Sequence, residues 1–487
     1  MESPHLVALA GIVVLGAALR FATLDLQSYR YDEAVTVGRV LHPSLFDTLA
    51  TVPRSESTPP LYYLMAWLWS RPFGTGEVGL RSLSALAGTV SIAVVYLGAV
   101  KLPLPRRAGL IAAAIVAVSP VLIWFSQDAR AYALAFLLTA LSFLFFARAR
   151  RSGAGRDLAW WAGFSALALA THYFAGFVVL PEAALLMWGA AERRRVAIAI
   201  AAVLAAGALL LPIALQQAGN AHAAWIAEQP PSQRLERAGA KLVGDDNGNE
   251  HGARQPGPIP LGVPAALALA ALALLLWRGE AGERRGAGIA AAVGLAGVGL
   301  PLLLGAFGAD YLDGRNLIPV FVPLMVLLGA GFGVRRAGWA GLGLAAAFCL
   351  CSLAFAIEID RLPRLQREDL RNAAAQVGPL RPGKAVVTIR YSGNQPLRYY
   401  LGGRFATGPL PPLREIDLVG SGIAARRSAG RLLPPAFHRV ESKPVSYNFT
   451  LTRYRALHPV RVPLRTLEAG ALVGGGAKAS VLVSGSP

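Results

Sequence analysis

Apolar runs of bilayer length recur along most of this chain, and the basic residues fall in short clusters between them. The runs are Leu6–Leu24, Ser82–Val100, Ala108–Phe125, Ala131–Ala147, a longer stretch Leu158–Ala190, then Val196–Leu215, Leu261–Trp277, Ile289–Gly308, Leu317–Val334 and Trp339–Ile357. A bilayer-crossing helix needs about 17–25 residues, and in hydrocarbon only a helix or a closed barrel satisfies its own backbone. Counting Leu158–Ala190 as two passes gives about eleven spans. Basic clusters at Lys101/Arg106/Arg107, Arg148/Arg150/Arg151/Arg156, Arg193/Arg194/Arg195, Arg278/Arg284/Arg285 and Arg335/Arg336 then all fall on one side, as cytoplasmic loops require. A single pass through Leu158–Ala190 would put Arg193–Arg195 opposite Arg148–Arg156, so two passes are preferred. The amino terminus is then expected in the cytoplasm, and everything from Glu358 onward outside.

Composition agrees with a membrane class. Of 487 residues, 54% are hydrophobic and 15% charged, against roughly 25% charged in soluble domains. The formal charge of +19 sits in the clusters between apolar runs, not in a nucleic-acid footprint, so no nucleic-acid partner is expected. Cys349 and Cys351 lie two apart inside an apolar run and project to different sides of a helix, which argues against a disulfide or metal site. Leu6–Leu24 has the length of a signal peptide but no basic n-region and no clean cleavage site, so it reads as a retained anchor.

On this topology four segments face outward: Asp25–Arg81, the turn Ser126–Arg130, Gln216–Pro260 and Ala309–Asn316. In the first, Glu33–Leu41 and Ser44–Thr51 read as short amphipathic helices, and Pro59–Trp69 as an aromatic helix lying at headgroup level. The loop Gln216–Pro260, with Gly244-Asp245-Asp246-Asn247-Gly248-Asn249, reads as mobile. Beyond Glu358, Gln366–Val377 and Pro396–Leu401 have helical patterns, Lys384–Ile389 is a β-branched strand, and Arg439–Arg455 alternates like strands. The last dozen residues read as loose. The fold expected is mainly α: a polytopic membrane helix bundle over residues 1–357, with its first outer loop at 25–81, followed by a small extracytoplasmic α/β domain over 358–487.

Candidate chemistry lies on the outer side. Asp32 and Glu33 form an acidic pair just past the first span, suited to a general base, a metal ligand or a solvated loop acid. Asp128 and Arg130 sit in a turn too short to leave the apolar layer, where a charge is costly unless paired or in a wet cavity. They read equally as an ion pair anchoring the turn or as part of a site. His172 lies at the outer turn between the fifth and sixth spans, as an interfacial anchor or a catalytic group. Arg315 begins a span and either snorkels to headgroups or holds a lipid phosphate through charge-assisted bonds. No Walker loop, G-x-G-x-x-G turn or H-E-x-x-H helix is present. Nucleotide-activated donors are not available outside the cytoplasm, so an activated group would arrive on a lipid.

Four stretches then carry a resemblance. They are Tyr31-Asp32-Glu33-Ala34; Thr58-Pro59-Pro60-Leu61-Tyr62-Tyr63 with Gly79-Leu80-Arg81-Ser82-Leu83-Ser84-Ala85; Ser126-Gln127-Asp128-Ala129-Arg130-Ala131-Tyr132-Ala133-Leu134; and Gly314-Arg315-Asn316-Leu317-Ile318-Pro319. In this order they resemble the GT-C superfamily of membrane glycosyltransferases, of the protein O-mannosyltransferase and lipid A aminoarabinose transferase type. The likeness covers about residues 1–330, with Asn316 where an aromatic residue is usual. It implies a GT-C bundle, a polyprenyl-phosphate sugar donor drawn from the membrane lipid, and an extracytoplasmic acceptor hydroxyl or amine. It also implies Asp32 as general base beside Glu33, and Asp128 as the second acidic residue. An inverting displacement needs one base but no general acid, because a lipid phosphate leaves as an anion. Positive charge for that anion falls to Arg130, Arg315 or a protonated His172. Some members place a divalent metal ion between outer-loop acids, and Asp32 with Asp128 would be the donors here. The rival readings are a non-catalytic transporter or carrier of lipid-linked sugars and a scaffold whose site has decayed. A transporter would carry ionisable residues within its spans and paired halves. Here Glu182 is the main interior charge and no repeat is visible.

Overall fold

The computed structural model describes residues 4–220, 230–243, 259–420, 432–474 and 478–485. It divides into two compact units, Met1–Leu24 with His42–Ile359, and Asp25–Leu41 with Asp360–Pro487. In chain order the helices are α1 (Pro4–Phe21), α2 (Tyr31–Val35), α3 (Leu45–Ser55), α4 (Leu61–Phe73), α5 (Glu77–Ala99), α6 (Arg106–Val118), α7 (Pro120–Ser126) and α8 (Tyr132–Ser152). They continue with α9 (Gly155–Thr171), α10 (Gly176–Trp188), α11 (Arg193–Gly219), α12 (Pro231–Val243), α13 (Gly262–Arg278), α14 (Ala281–Ala306), α15 (Phe321–Phe332) and α16 (Gly338–Arg361).

The first unit is helical. Among the described residues, six helices are long and apolar enough to cross a membrane, or seven if the bent pair α6–α7 is one span. Shorter apolar helices occupy Tyr173–Trp188, Gly262–Arg278 and Ile318–Phe332. The protein is thus a multi-pass membrane protein. The stretch Leu158–Ala190 does form two helices, α9 and α10, because the chain turns extended at His172 (φ −155°). Where a mobile loop is expected after Gln216, α11 runs on to Gly219 and α12 follows; Gly244–Asn249 lie outside the described residues.

The run Ala108–Phe125 is not the single straight helix its hydropathy suggests. It bends by 58° between α6 and α7. Pro120 has no N–H to offer the Val116 carbonyl, and Ser119 caps α7 through its side chain. The fully buried Arg20 of α1 answers this break. It donates to Val116 O at 2.9 Å, Ala117 O at 2.9 Å, Gly16 O at 3.0 Å and Ser126 Oγ at 3.1 Å. A methyl on Gly88 would collide with Ser126 Oγ and press on Arg20 Nε, so α5 must offer glycine there. Arg20 therefore joins Glu182 as an interior charge, and both are bonded. Glu182 Oε2 accepts from Ser142 Oγ at 2.6 Å and Trp161 Nε1 at 2.9 Å, tying α10 to α8 and α9.

The second unit is an α/β domain. Its strands β1 (Lys384–Ile389), β2 (Arg404–Phe405), β3 (Leu413–Gly420), β4 (His438–Pro444), β5 (Thr450–Val460) and β6 (Ala479–Val483) form one sheet in the order β2-β6-β1-β3-β5-β4. Only β1 and β3 run parallel, with α18 (Asn394–Leu401) in the crossover. Helix α17 is shorter than Gln366–Val377: it spans Leu370–Val377, because Asp369 takes the N-cap position and accepts from Asn372 N at 2.9 Å. Apolar side chains of α17 and α18 cover one sheet face, Leu370, Val377 and Leu397 packing with Val386, Val419 and Leu482. Asp417, wholly buried on β3, is held by Arg453 at 2.8 and 2.9 Å and by Lys384 at 3.0 Å. The closing residues are not loose throughout, since β6 pairs with both β1 and β2 and supplies Val481 to the core.

Residues 25–41 belong to this second unit. Ser28 Oγ donates to Glu368 O at 2.7 Å and accepts from Leu370 N at 3.1 Å. Arg367 N donates to Gln27 Oε1 at 2.9 Å, and Tyr29 N to Tyr400 Oη at 2.8 Å. Edge-to-face rings add Tyr29 against Tyr399, with centroids 5.2 Å apart.

Candidate active site

Within the second unit, Asp32 and Glu33 stand side by side in sequence and apart in environment. Both open α2, which continues as a π-turn over Thr36–Val40. Glu33 is fully buried. Its Oε2 accepts from Arg30 N at 3.1 Å, closing a capping box, and lies 3.4 Å from Arg367 Nη1. Asp32 keeps 32% of its side chain exposed, with Arg30 Nη2 3.6 Å away. One carboxylate secures the helix start; the other is presented.

Within the helical unit, Arg130, His172 and Arg315 come together. The Ser126–Arg130 turn is fixed by Gln127, whose Nε2 donates to Thr23 Oγ1 at 2.8 Å and to Leu19 O at 3.2 Å. Asp128 is completely buried and Arg130 nearly so. Arg130 Nη1 meets Glu56 Oε2 at 2.6 Å, and Tyr63 Oη donates to the same oxygen at 2.6 Å. Thr58 Oγ1 lies 2.9 Å from Tyr63 Oη, while Glu56 Oε1 is buried with no partner among the described residues. Gln217 at the end of α11 fastens this segment by donating to Thr58 O at 2.9 Å and accepting from Tyr173 Oη at 2.8 Å.

His172 sits in the turn between α9 and α10. Burial, then the charges of Arg315 and Arg130, push its pKa down to about 3. It is neutral near pH 7 and so does not carry the positive charge expected of it. Arg315 is held at its turn by Asp313, whose Oδ1 lies 3.4 Å from Arg315 Nε and accepts from Arg315 N at 3.0 Å. Asn316 Nδ2 donates to Tyr311 O at 3.0 Å, so the residue replacing the usual aromatic shapes the loop that carries Arg315. Aromatic rings line the cluster in succession: Phe125 on Tyr132 at 4.6 Å, Tyr132 on His172 at 5.6 Å, His172 on Phe174 at 5.3 Å and Phe174 on Tyr311 at 5.2 Å. A partly apolar wall carrying one buried cation, Arg130, and one half-buried cation, Arg315, suits a lipid-linked anion better than a free, hydrated one.

A sequence profile of the dolichyl-phosphate-mannose-protein mannosyltransferase family matches residues 57–215. Among solved structures, ArnT from Cupriavidus metallidurans bound to undecaprenyl phosphate aligns with 93% of this chain and 98% of its own, at 13% identity and a TM-score of 0.52. The chain has a GT-C glycosyltransferase fold. The expected resemblance to the GT-C superfamily is upheld. An Archaeoglobus fulgidus oligosaccharyltransferase in complex with Zn and sulfate aligns with 72% of this chain and 53% of its own, at 15% identity and TM-score 0.44. The S. cerevisiae Pmt1-Pmt2 complex bound to its sugar donor aligns with 44% and 33%, at 16% identity and TM-score 0.33. None of the curated proteins matches the sequence.

The GT-C fold adds residues that the motifs alone did not single out. Glu56 is one, and Tyr63, until then only a member of the second motif, is another through its bond to Glu56; Glu56 is the sole acid between Asp47 and Glu77 and lies just ahead of Thr58-Pro59-Pro60. Lys241 is a third. Its side chain packs against Gly314, beside Arg315, and its Nζ stands 5.5 Å over the Phe125 ring. Helix α12 is fastened there by Arg234, bonded to Asp310 at 2.8 Å. The spacing of Leu235, Ala238 and Leu242 was the helical signal in that loop. As for the divalent metal some GT-C proteins use, the described residues hold no cluster of three or more His, Cys, Asp or Glu that fits one.

Proposed function

We propose that this protein transfers a sugar from a polyprenyl-phosphate donor to an extracytoplasmic acceptor, with inversion. On this reading the helical unit crosses the membrane about eleven times, with the amino terminus in the cytoplasm and the α/β unit outside. The convergence of Arg130 and Arg315 around His172, in an aromatic-walled part of the GT-C bundle, carries the proposal. ArnT, in a structure of similar fold, holds undecaprenyl phosphate, which supports a donor of the same chemical class.

Asp32 takes the proton from the acceptor hydroxyl or amine as that atom bonds to the anomeric carbon. The bond from that carbon to the phosphate oxygen breaks, and its electron pair leaves with the phosphate. Arg130 and Arg315 stabilise the departing anion. Glu56 and Tyr63 hold Arg130 in position, and neutral His172 offers a hydrogen bond. Glu33 supports Asp32 structurally, and Asp128 stabilises the turn that bears Arg130. The two interior charges favour an enzyme over a carrier, because Arg20 and Glu182 serve helix contacts and mark no conduit.

The test is a panel of radiolabelled polyprenyl-phosphate sugars offered to the protein in lipid nanodiscs, wild type against Asp32→Asn. Binding of one donor with slow Asp32-dependent release of its sugar is the expected result. Binding to no donor would return Arg130 and Arg315 to structural roles.

A further inference from the structure

Away from this site, the helical unit carries an open surface cavity of about 700 Å³ lined by Lys101, Arg106, Arg107, Arg151 and Arg335, with His5. Among the described residues, no acidic one lines it. Lys101, Arg106 and Arg151 have no ion-pair partner among the described residues, while Arg335 has Glu280 4.0 Å away. Arg107 alone is engaged by the fold, donating to the carbonyls of Gly333 (2.8 Å) and Val334. These cations come from three of the basic clusters. Orienting a membrane protein requires only that the clusters share a side; it does not require three of them to converge on one hollow.

We infer that this cavity holds the headgroup of an anionic phospholipid, as a site distinct from that of the sugar donor. The apolar surroundings favour a lipid over a free phosphate. Val100 and Leu104 form part of the wall. From His5, α1 runs on as exposed apolar surface, with Leu6, Val7 and Val14 at 55%, 57% and 68% exposure. A headgroup bound to the five cations can lay its acyl chains along that surface. Basic pockets between spans are the known chemistry for phosphate-bearing lipid headgroups, and each cation near the surface contributes on the order of 1 kcal/mol, or about fivefold in affinity.

The experiment titrates cardiolipin into the full-length protein in phosphatidylcholine-containing micelles, reading melting temperature and lipid retention by native mass spectrometry. The variants are R106Q/R335Q and the charge-keeping R106K/R335K; Arg107 is left intact because it bonds the backbone. Cardiolipin should stabilise the wild type, bind about tenfold or more weakly to R106Q/R335Q, and recover with R106K/R335K. All three proteins should melt alike in phosphatidylcholine alone. Equal cardiolipin affinity in wild type and R106Q/R335Q overturns the inference. So does equal protection by added phosphatidylcholine, or by soluble glycerol phosphate at the same concentration, the latter making the ligand a free phosphate.

Discussion

Two places in this molecule set carboxylates beside arginines, and they use them in opposite ways. In the α/β unit, Glu33 is buried against Arg367 and the start of α2, while its neighbour Asp32 keeps a third of its side chain in the open. In the helical unit, Glu56, Asp128 and Arg130 are all buried, and Glu56 pairs directly with the arginine. The same residue types thus yield an accessible acid in one place and a fixed, desolvated cation in the other. A group that must accept a proton needs contact with its donor. A group that must stabilise a leaving anion gains most where the dielectric is low and its own geometry is settled. On the function proposed above, burial more than residue identity would separate the two roles.

The sharpest way to break this comparison is Asp32→Asn. Transfer should fall by about 10²–10⁴-fold with an unchanged melting temperature; a variant that keeps most of its activity would remove Asp32 from the chemistry. Next comes Glu56→Ala, which strands a buried guanidinium and should cost about 3–5 kcal/mol of stability. A double-mutant cycle with Arg130→Met should recover much of that loss, whereas additive losses would mean that the pair is not coupled.

His172 gives a smaller effect with a defined sign. Its folded pKa of about 3 lies below the unfolded value, near 6.5. Its contribution is therefore complete above about pH 6.5 and is lost as pH falls from there toward 3, amounting to about 2 kcal/mol between pH 7 and 5. His172→Gln should flatten that part of the stability–pH curve; an unchanged slope would assign it to other groups. The smallest effect expected is from Tyr63→Phe, which removes one hydrogen bond to Glu56 and should cost about 0.5–1.5 kcal/mol, with Arg130-dependent donor affinity as the second readout.

Much of this was legible in the sequence because it follows from periodicity. The two helices within Leu158–Ala190 and the strand Lys384–Ile389 are set by local pattern, and the structure has them. What was not legible depends on partners distant in sequence. Nothing local to Leu6–Leu24 announces that Arg20 will serve carbonyls freed at Ser119-Pro120, nearly a hundred positions on. Strand β3 was missed although it pairs with β1, because Leu413–Gly420 mixes buried apolar residues with Glu415 and Asp417, whose charges are met only across the sheet. Short motifs supplied Asp32 in the α/β unit and Arg130 and Arg315 in the helical unit. Glu56 and Lys241 emerged only once burial and packing could be seen.

The attachment of residues 25–41 to the α/β unit also has a consequence in time. Ser28 and Tyr29 find their partners in Glu368 and Tyr400, 340 and 371 positions later. At an elongation rate of 5–20 residues per second, the ribosome takes roughly 20–70 s to cover that interval. Throughout it, the helical unit can assemble while the acidic motif waits without its mount. A chain interrupted anywhere before the last strand would carry Asp32 but lack the framework that presents it. The setting of Asp32 is therefore among the final features the protein acquires, a built-in order of events in which the acidic motif is mounted only after the helical unit has been made.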